Sequence, residues 1–226
     1  MTNAISTTPS SAKLDLYLDR LAARGSTGKL IFALDATMSR QPTWDQACKL
    51  QAEMFSEAAG IGGLEIKVGF FRGAHELKFS PWVTDAKRLE KAMARIVCEG
   101  GYTQIARLLE EVRREHNKGS VGALVYVGDA AEEHIETLSL AAQQLGAAGI
   151  KAFMFQEDDD EDAEKAFREI ARVTKGAYCK FSSGSAKELG ELLRAAAAFA
   201  VGGMKALSQL GAQGKPGAVK LLGQLQ

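Results

Sequence analysis

The sequence predicts an α/β, Rossmann-like fold: a doubly wound, mostly parallel six-stranded sheet with helices on both faces and one antiparallel edge strand. Three observations carry that expectation. Leu30, Ile31, Phe32, Ala33 and Leu34 are contiguous apolar residues, the mark of a strand buried on both faces of a parallel sheet. Further along, short apolar runs alternate with stretches of helical period, which is the rhythm of βα units. Between these regions, two period-2 runs flank a short turn containing Gly73 and read as a β-hairpin, hence as antiparallel strands.

Taken in order, residues 1–10 are small and polar and are expected to be mobile. Leu14, Tyr17, Leu18 and Leu21 then recur at helical spacing, predicting an amphipathic helix over 11–24. Glycines 25 and 28 break the chain before the first strand. A second helix is expected from Pro42 to about Gly60, with Trp44, Cys48 and Phe55 on its inner side. The hairpin covers 64–79, with Leu64, Ile66, Val68 and Phe70 and then Leu77 and Phe79 on alternate positions. A short helix over 85–95 follows. Gly100-Gly101-Tyr102-Thr103 leads into a helix whose Ile105, Leu108, Leu109 and Val112 form one apolar face. Strands at 121–127, 150–155 and 177–181 alternate with helices at 132–145 and 160–174, and a long helix from about Ser185 closes the domain. This divides the chain into a terminal segment and helix (1–28), a main domain (29–201) and a Gly- and Leu-containing tail (202–226) expected to pack back on the domain or on a partner.

Composition removes several classes of function. With 28 basic and 28 acidic residues, the chain has no net attraction for nucleic acid or an anionic membrane. The three cysteines are scattered and odd in number, as expected of reduced core thiols in a cytoplasmic protein. No run approaches a membrane span, and the first residues lack the features of a secretion signal. His75, His116 and His134 are too dispersed to suggest a zinc set. The acidic run 157–162 reads as a solvated first helical turn, with a second cation site as the sharper alternative. Ser182, Ser183 and Ser185 read as turn and cap residues.

The chemistry concentrates where strands end. Asp35 closes the first apolar run, and Thr37 and Ser39 follow at every second position, so an extended loop can aim one carboxylate and two hydroxyls at one place. Such hard oxygen donors suit magnesium and not zinc. The plainer reading is that Asp35 and Ser39 merely cap a turn and the helix after it. Thr103, at the head of a helix, and Asp129, after the strand Val125-Tyr126-Val127-Gly128, add oxygen ligands at two further loops of the same kind.

This set, Leu34-Asp35-Ala36-Thr37-Met38-Ser39, Gly100-Gly101-Tyr102-Thr103 and Val125-Tyr126-Val127-Gly128-Asp129, resembles the metal-ion-dependent adhesion site of von Willebrand factor type A (vWA) domains over residues 29–200. The resemblance is to a small, stand-alone cytoplasmic member of bacterial type. It implies that Thr37, Ser39 and Thr103 bind Mg²⁺ (or Mn²⁺) through their hydroxyls, with Asp35 and Asp129 acting largely through water. It implies a non-enzymatic module that offers the metal's open position to an Asp or Glu of a partner protein. Two departures stand out: Thr37 where Ser is more usual, and Gly128 where the family often has Thr, followed by Ala130-Ala131. Trp82 and Tyr102 are candidates for partner contact. The competing readings are a degenerate scaffold that binds through a metal-independent surface and, more remotely, a phosphotransferase or hydrolase. A phosphotransferase of the haloacid-dehalogenase type would need a general acid where Thr37 stands.

Overall fold

The computed structural model describes residues 28–40, 63–182 and 185–225. The expected helices over 11–24 and 42–60, with Trp44 and Cys48, and Ser183 lie outside the described residues. The elements run β1 (Gly28–Asp35), a 3-10 turn (Met38–Arg40), β2 (Leu64–Arg72), β3 (Glu76–Phe79), α1 (Ala86–Met93), α2 (Ile105–Lys118), β4 (Ala123–Gly128), α3 (Ile135–Ala147), β5 (Lys151–Glu157), α4 (Glu161–Val173), β6 (Ala177–Phe181), α5 (Ala186–Ala212) and α6 (Pro216–Leu222).

One six-stranded sheet has the order β3-β2-β1-β4-β5-β6. β1 lies between β2 and β4 and is parallel to both, and β3 alone runs antiparallel, against β2. The continuous apolar run of β1 serves two cores because successive side chains point to opposite faces. Leu30, Phe32 and Leu34 join one core with Leu89 of α1, Leu192 and Ala196 of α5 and Leu221 of α6. Ile31 and Ala33 join the other with Leu108 of α2, Leu138 of α3 and Phe167 of α4. Each fully buried aliphatic side chain contributes about 1.5–3 kcal/mol, so one short strand anchors both layers.

The hairpin turn is fixed by charge. Arg72 Nε donates to Glu76 Oε2 at 2.7 Å, and Lys78 pairs with the same carboxylate. Those hydrogen bonds hold the Glu76 carboxyl down at about 2. Cys98 and Cys179 are buried, and burial pushes the Cys179 thiol up to about 11.

Residue 201 falls inside a helix. α5 continues to Ala212 through Gly203, which carries φ 59° and ψ −152°. Leu207 and Leu210 beyond that kink, and Ala218, Leu221 and Leu225 of the tail, belong to the same core as β1. The tail also closes the sheet's edge: the Gln224 side chain accepts from Tyr178 N (2.9 Å) and donates to Tyr178 O (2.6 Å), as a neighbouring strand would. Among the described residues, no helix is long and apolar enough to cross a membrane.

Candidate functional site

In parallel βα units every strand's carboxyl end and every helix's amino end face one rim of the sheet, and polar side chains leaving the strands gather there. Asp35 is fully buried at the end of β1, where its Oδ1 accepts the Thr37 amide at 2.8 Å. That contact is the turn-capping role expected of Asp. The same turn brings the Thr37 and Ser39 hydroxyls within 3.1 Å of each other, on one side of the loop.

The second loop is docked on the first through the backbone, since Glu99 N donates to Ala36 O at 3.1 Å. Gly101 permits its close approach to the hairpin: a Cβ there would lie 2.0 Å from Gly73 O. Two residues on, Thr103 is buried, and Tyr102 stands 71% exposed beside it.

The third loop follows β4, whose Val127 is in register with Leu34 of β1. Asp129 therefore leaves the sheet next to Asp35. Its Oδ1 is buried and meets no hydrogen-bond donor among the described residues. The Gly128 that departs from the vWA pattern has a steric cause: a Cβ at 128 would lie 2.5 Å from the Tyr126 hydroxyl. Tyr126 is fully buried, stacked on Phe71 and edge-on to Phe167.

Loops two and three are tied by residues that motif reasoning missed. Glu132 N donates to Thr103 Oγ1 (3.0 Å), and Thr103 N donates to Glu132 Oε2 (2.6 Å). The Glu133 carboxylate accepts from Ile105 N and Ala106 N, each at 2.8 Å. These amides head α2, where orphan donors and the helix dipole favour a carboxylate. No local spacing announces a cap delivered from nearly thirty residues away. Glu157, expected in a solvated helical turn, is instead the last residue of β5 and only 3% exposed. Its neighbour Gln156 is in register with Gly128, which puts Glu157 one strand over from Asp129. The sequence does not set Glu157 apart from the acidic run, since the polar Gln156 stands between it and the apolar run 152–155. The helix cap proper is Asp160, which accepts from Ala163 N at 2.6 Å.

Asp35, Thr37, Ser39, Thr103 and Asp129 thus share one rim, linked loop to loop. Trp82 is not brought there. Its ring is flanked by the ammonium groups of Lys29 and Lys67 at 5.0 and 5.2 Å, and its neighbour Val83 bridges to Ile66 in the lower half of β2. Among the described residues, no group of three or more His, Cys, Asp or Glu could hold a metal ion. A cation at this rim would therefore rest on hydroxyls as well as carboxylates. The buried oxygen of Asp129, without a donor among the described residues, and the hard-oxygen chemistry of the set fit magnesium.

No protein-family model matches the sequence, and no curated protein matches it. Solved structures do. A von Willebrand factor type A protein from Catenulispora acidiphila superposes with a TM-score of 0.64 at 18% identity, over 76% of this chain and 43% of its own. An aerotolerance-related membrane protein from Bacteroides fragilis gives 0.59 at 16% identity, over 75% and 98% of the two chains. The SpRpn10 VWA domain gives 0.58 at 9% identity, over 72% and 95%. With the strand order, the single antiparallel edge strand and the flanking helices already described, this chain has the von Willebrand factor type A fold.

Proposed function

We propose that the chain is a non-catalytic protein-binding module whose carboxyl rim takes Mg²⁺ or Mn²⁺ and, through it, an Asp or Glu of a partner protein in the cytoplasm. The observation that carries this reading is the buried Asp129 oxygen with no donor among the described residues, standing beside Asp35 where two hydroxyls converge. Thr37, Ser39 and Thr103 would hold the cation through hydroxyl oxygens, and Asp35 and Asp129 through water. Bound there by mostly neutral close ligands, the cation would supply an electrophilic position for a partner carboxylate. The chain's own part is orientation: Asp35 fixes the turn that aligns Thr37 with Ser39, and Glu132 holds Thr103 at the head of α2.

One observation favours the degenerate-scaffold reading. The Thr37 and Ser39 hydroxyls already bond each other, and the Thr103 hydroxyl already accepts from Glu132 N. Titration calorimetry with MgCl₂ and MnCl₂ on the wild type, Asp35→Ala and Asp129→Asn separates the two. The metal reading expects a saturable heat in the wild type and affinity about tenfold or more weaker in both variants. No heat in any of the three leaves a metal-independent binding surface.

A further inference from the structure

At the opposite end of the sheet, the last turns of α4, the turn after it, the start of β6 and Gln224 enclose a cleft of about 570 Å³. That is the size range of small-molecule sites. Its polar lining is cationic: Arg168, Arg172 and Lys175 face it together with Tyr178. The Arg168 guanidinium lies 4.3 Å from the centre of the Tyr178 ring, and Arg172 is fixed by two bonds to Glu169 (2.8 and 2.9 Å). Lys151, outside the lining, braces the turn beside it, its ammonium donating to the Lys175 carbonyl at 2.5 Å. Burial, and then the charge of Lys175, press the Lys151 pKa below its ordinary value. Against these stand Glu169 and Glu164, and Glu164 is shared between Arg168 (2.8 Å) and Lys180 (2.9 Å).

The helix dipole accounts for cations near the carboxyl end of α4. It does not account for the backbone of Lys175. Gly176 N returns to Ala171 O (2.8 Å) and Lys175 N to Arg172 O (3.2 Å), closing the helix with Lys175 at φ 53°. That left-handed position is ordinarily glycine's, and a long side chain is held there at a cost in stability. Conformational strain of this kind collects where a side chain is needed in one place.

We propose that this cleft is a binding site for a phosphate monoester of a small molecule, with the phosphoryl group received by Arg168, Arg172 and Lys175. Guanidinium forks match phosphate oxygens in pairs, and Lys175 adds a point charge. The site is independent of the carboxyl rim and of any metal there.

The test uses the full chain in EDTA at constant ionic strength, with amide resonances followed by NMR. Glycerol 3-phosphate and inorganic phosphate are the probes, and citrate is the general-anion control. The expected result is saturable movement of the Lys175, Gly176 and Tyr178 amides with glycerol 3-phosphate, weaker movement with inorganic phosphate and none that saturates with citrate. Lys175→Gly should weaken the affinity about tenfold or more while its melting temperature stays at or above the wild type's, and Arg172→Gln should weaken it comparably. Non-saturating shifts, saturation by citrate alike, tighter binding of inorganic phosphate than of the ester, or a Lys175→Gly chain that binds as the wild type does would each overturn the assignment.

Discussion

The two ends of the sheet carry opposite charge, and chain direction is what sorts them. At the carboxyl rim, Asp35, Asp129 and Glu157 leave three strands beside the amino ends of helices, while at the amino end of β6 the cleft is lined by Arg168, Arg172 and Lys175 from the carboxyl end of α4. In a parallel sheet with right-handed crossovers, helix dipoles all point the same way, so acids are favoured at one rim and bases at the other. Simple sorting would leave every charge answered by a neighbouring dipole or partner. Each end departs from that: the carboxyl rim holds a buried oxygen without a donor among the described residues, and the amino end holds a lysine in a glycine conformation, which at the carboxyl rim Asp158 shares. Those departures, more than the charges, separate candidate binding regions from ordinary surface.

The comparison breaks most severely at Gly128. Replacing it with valine drives a side chain into the Tyr126 hydroxyl, and a loss of about 2–3 kcal/mol in urea unfolding is expected. Gly128→Ala with Tyr126→Phe should recover only part of that loss, because the hydroxyl is gone but the ring carbons Cε1 and Cζ, each 2.8 Å from the added Cβ, remain. Removal of the clamp comes next. Glu133→Ala strips two amides at the head of α2 of their acceptor and should cost about 1–2 kcal/mol, with faster hydrogen exchange at Ile105 and Ala106. If a cation binds this rim, Glu132→Ala should weaken it without altering the amides around Lys175. At the other end the sign reverses, since Lys175→Gly should raise stability by about 0.5–1 kcal/mol in the same assay. The mildest effect is on pH. Because the Glu76 carboxyl is held near 2 against an ordinary 4.5, its contribution to the hairpin is complete above 4.5 and fades as pH falls toward 2. NMR titration should show the β2–β3 turn loosening in that interval.

How much of this could be read from the sequence depends on how locally each feature is encoded. β1 was legible because five apolar residues in a row leave little alternative, and the hairpin because alternation and a glycine turn coincide within sixteen residues. Asp35, Thr37 and Ser39 were legible as a group because they are adjacent in sequence and leave the strand together. Glu132 and Glu133 were not, since their partners lie 27 to 29 residues upstream and no capping spacing connects them. Trp82, a candidate for partner contact, is set between two lysines, far down β2 from the rim, a placement that depends on β-sheet neighbours distant in sequence. Glu157 was absorbed into an acidic run whose other members are solvent-facing, so its burial could be seen only once the register of β5 against β4 was known.

The contact between Gln224 and Tyr178 has a consequence for handling the molecule. A single amide side chain answers the backbone of the outermost strand, where an unanswered peptide group would invite a second molecule to add on and lateral growth to begin. Any version shortened before Pro216 gives up that guard, and its solutions should become prone to fibrous precipitation.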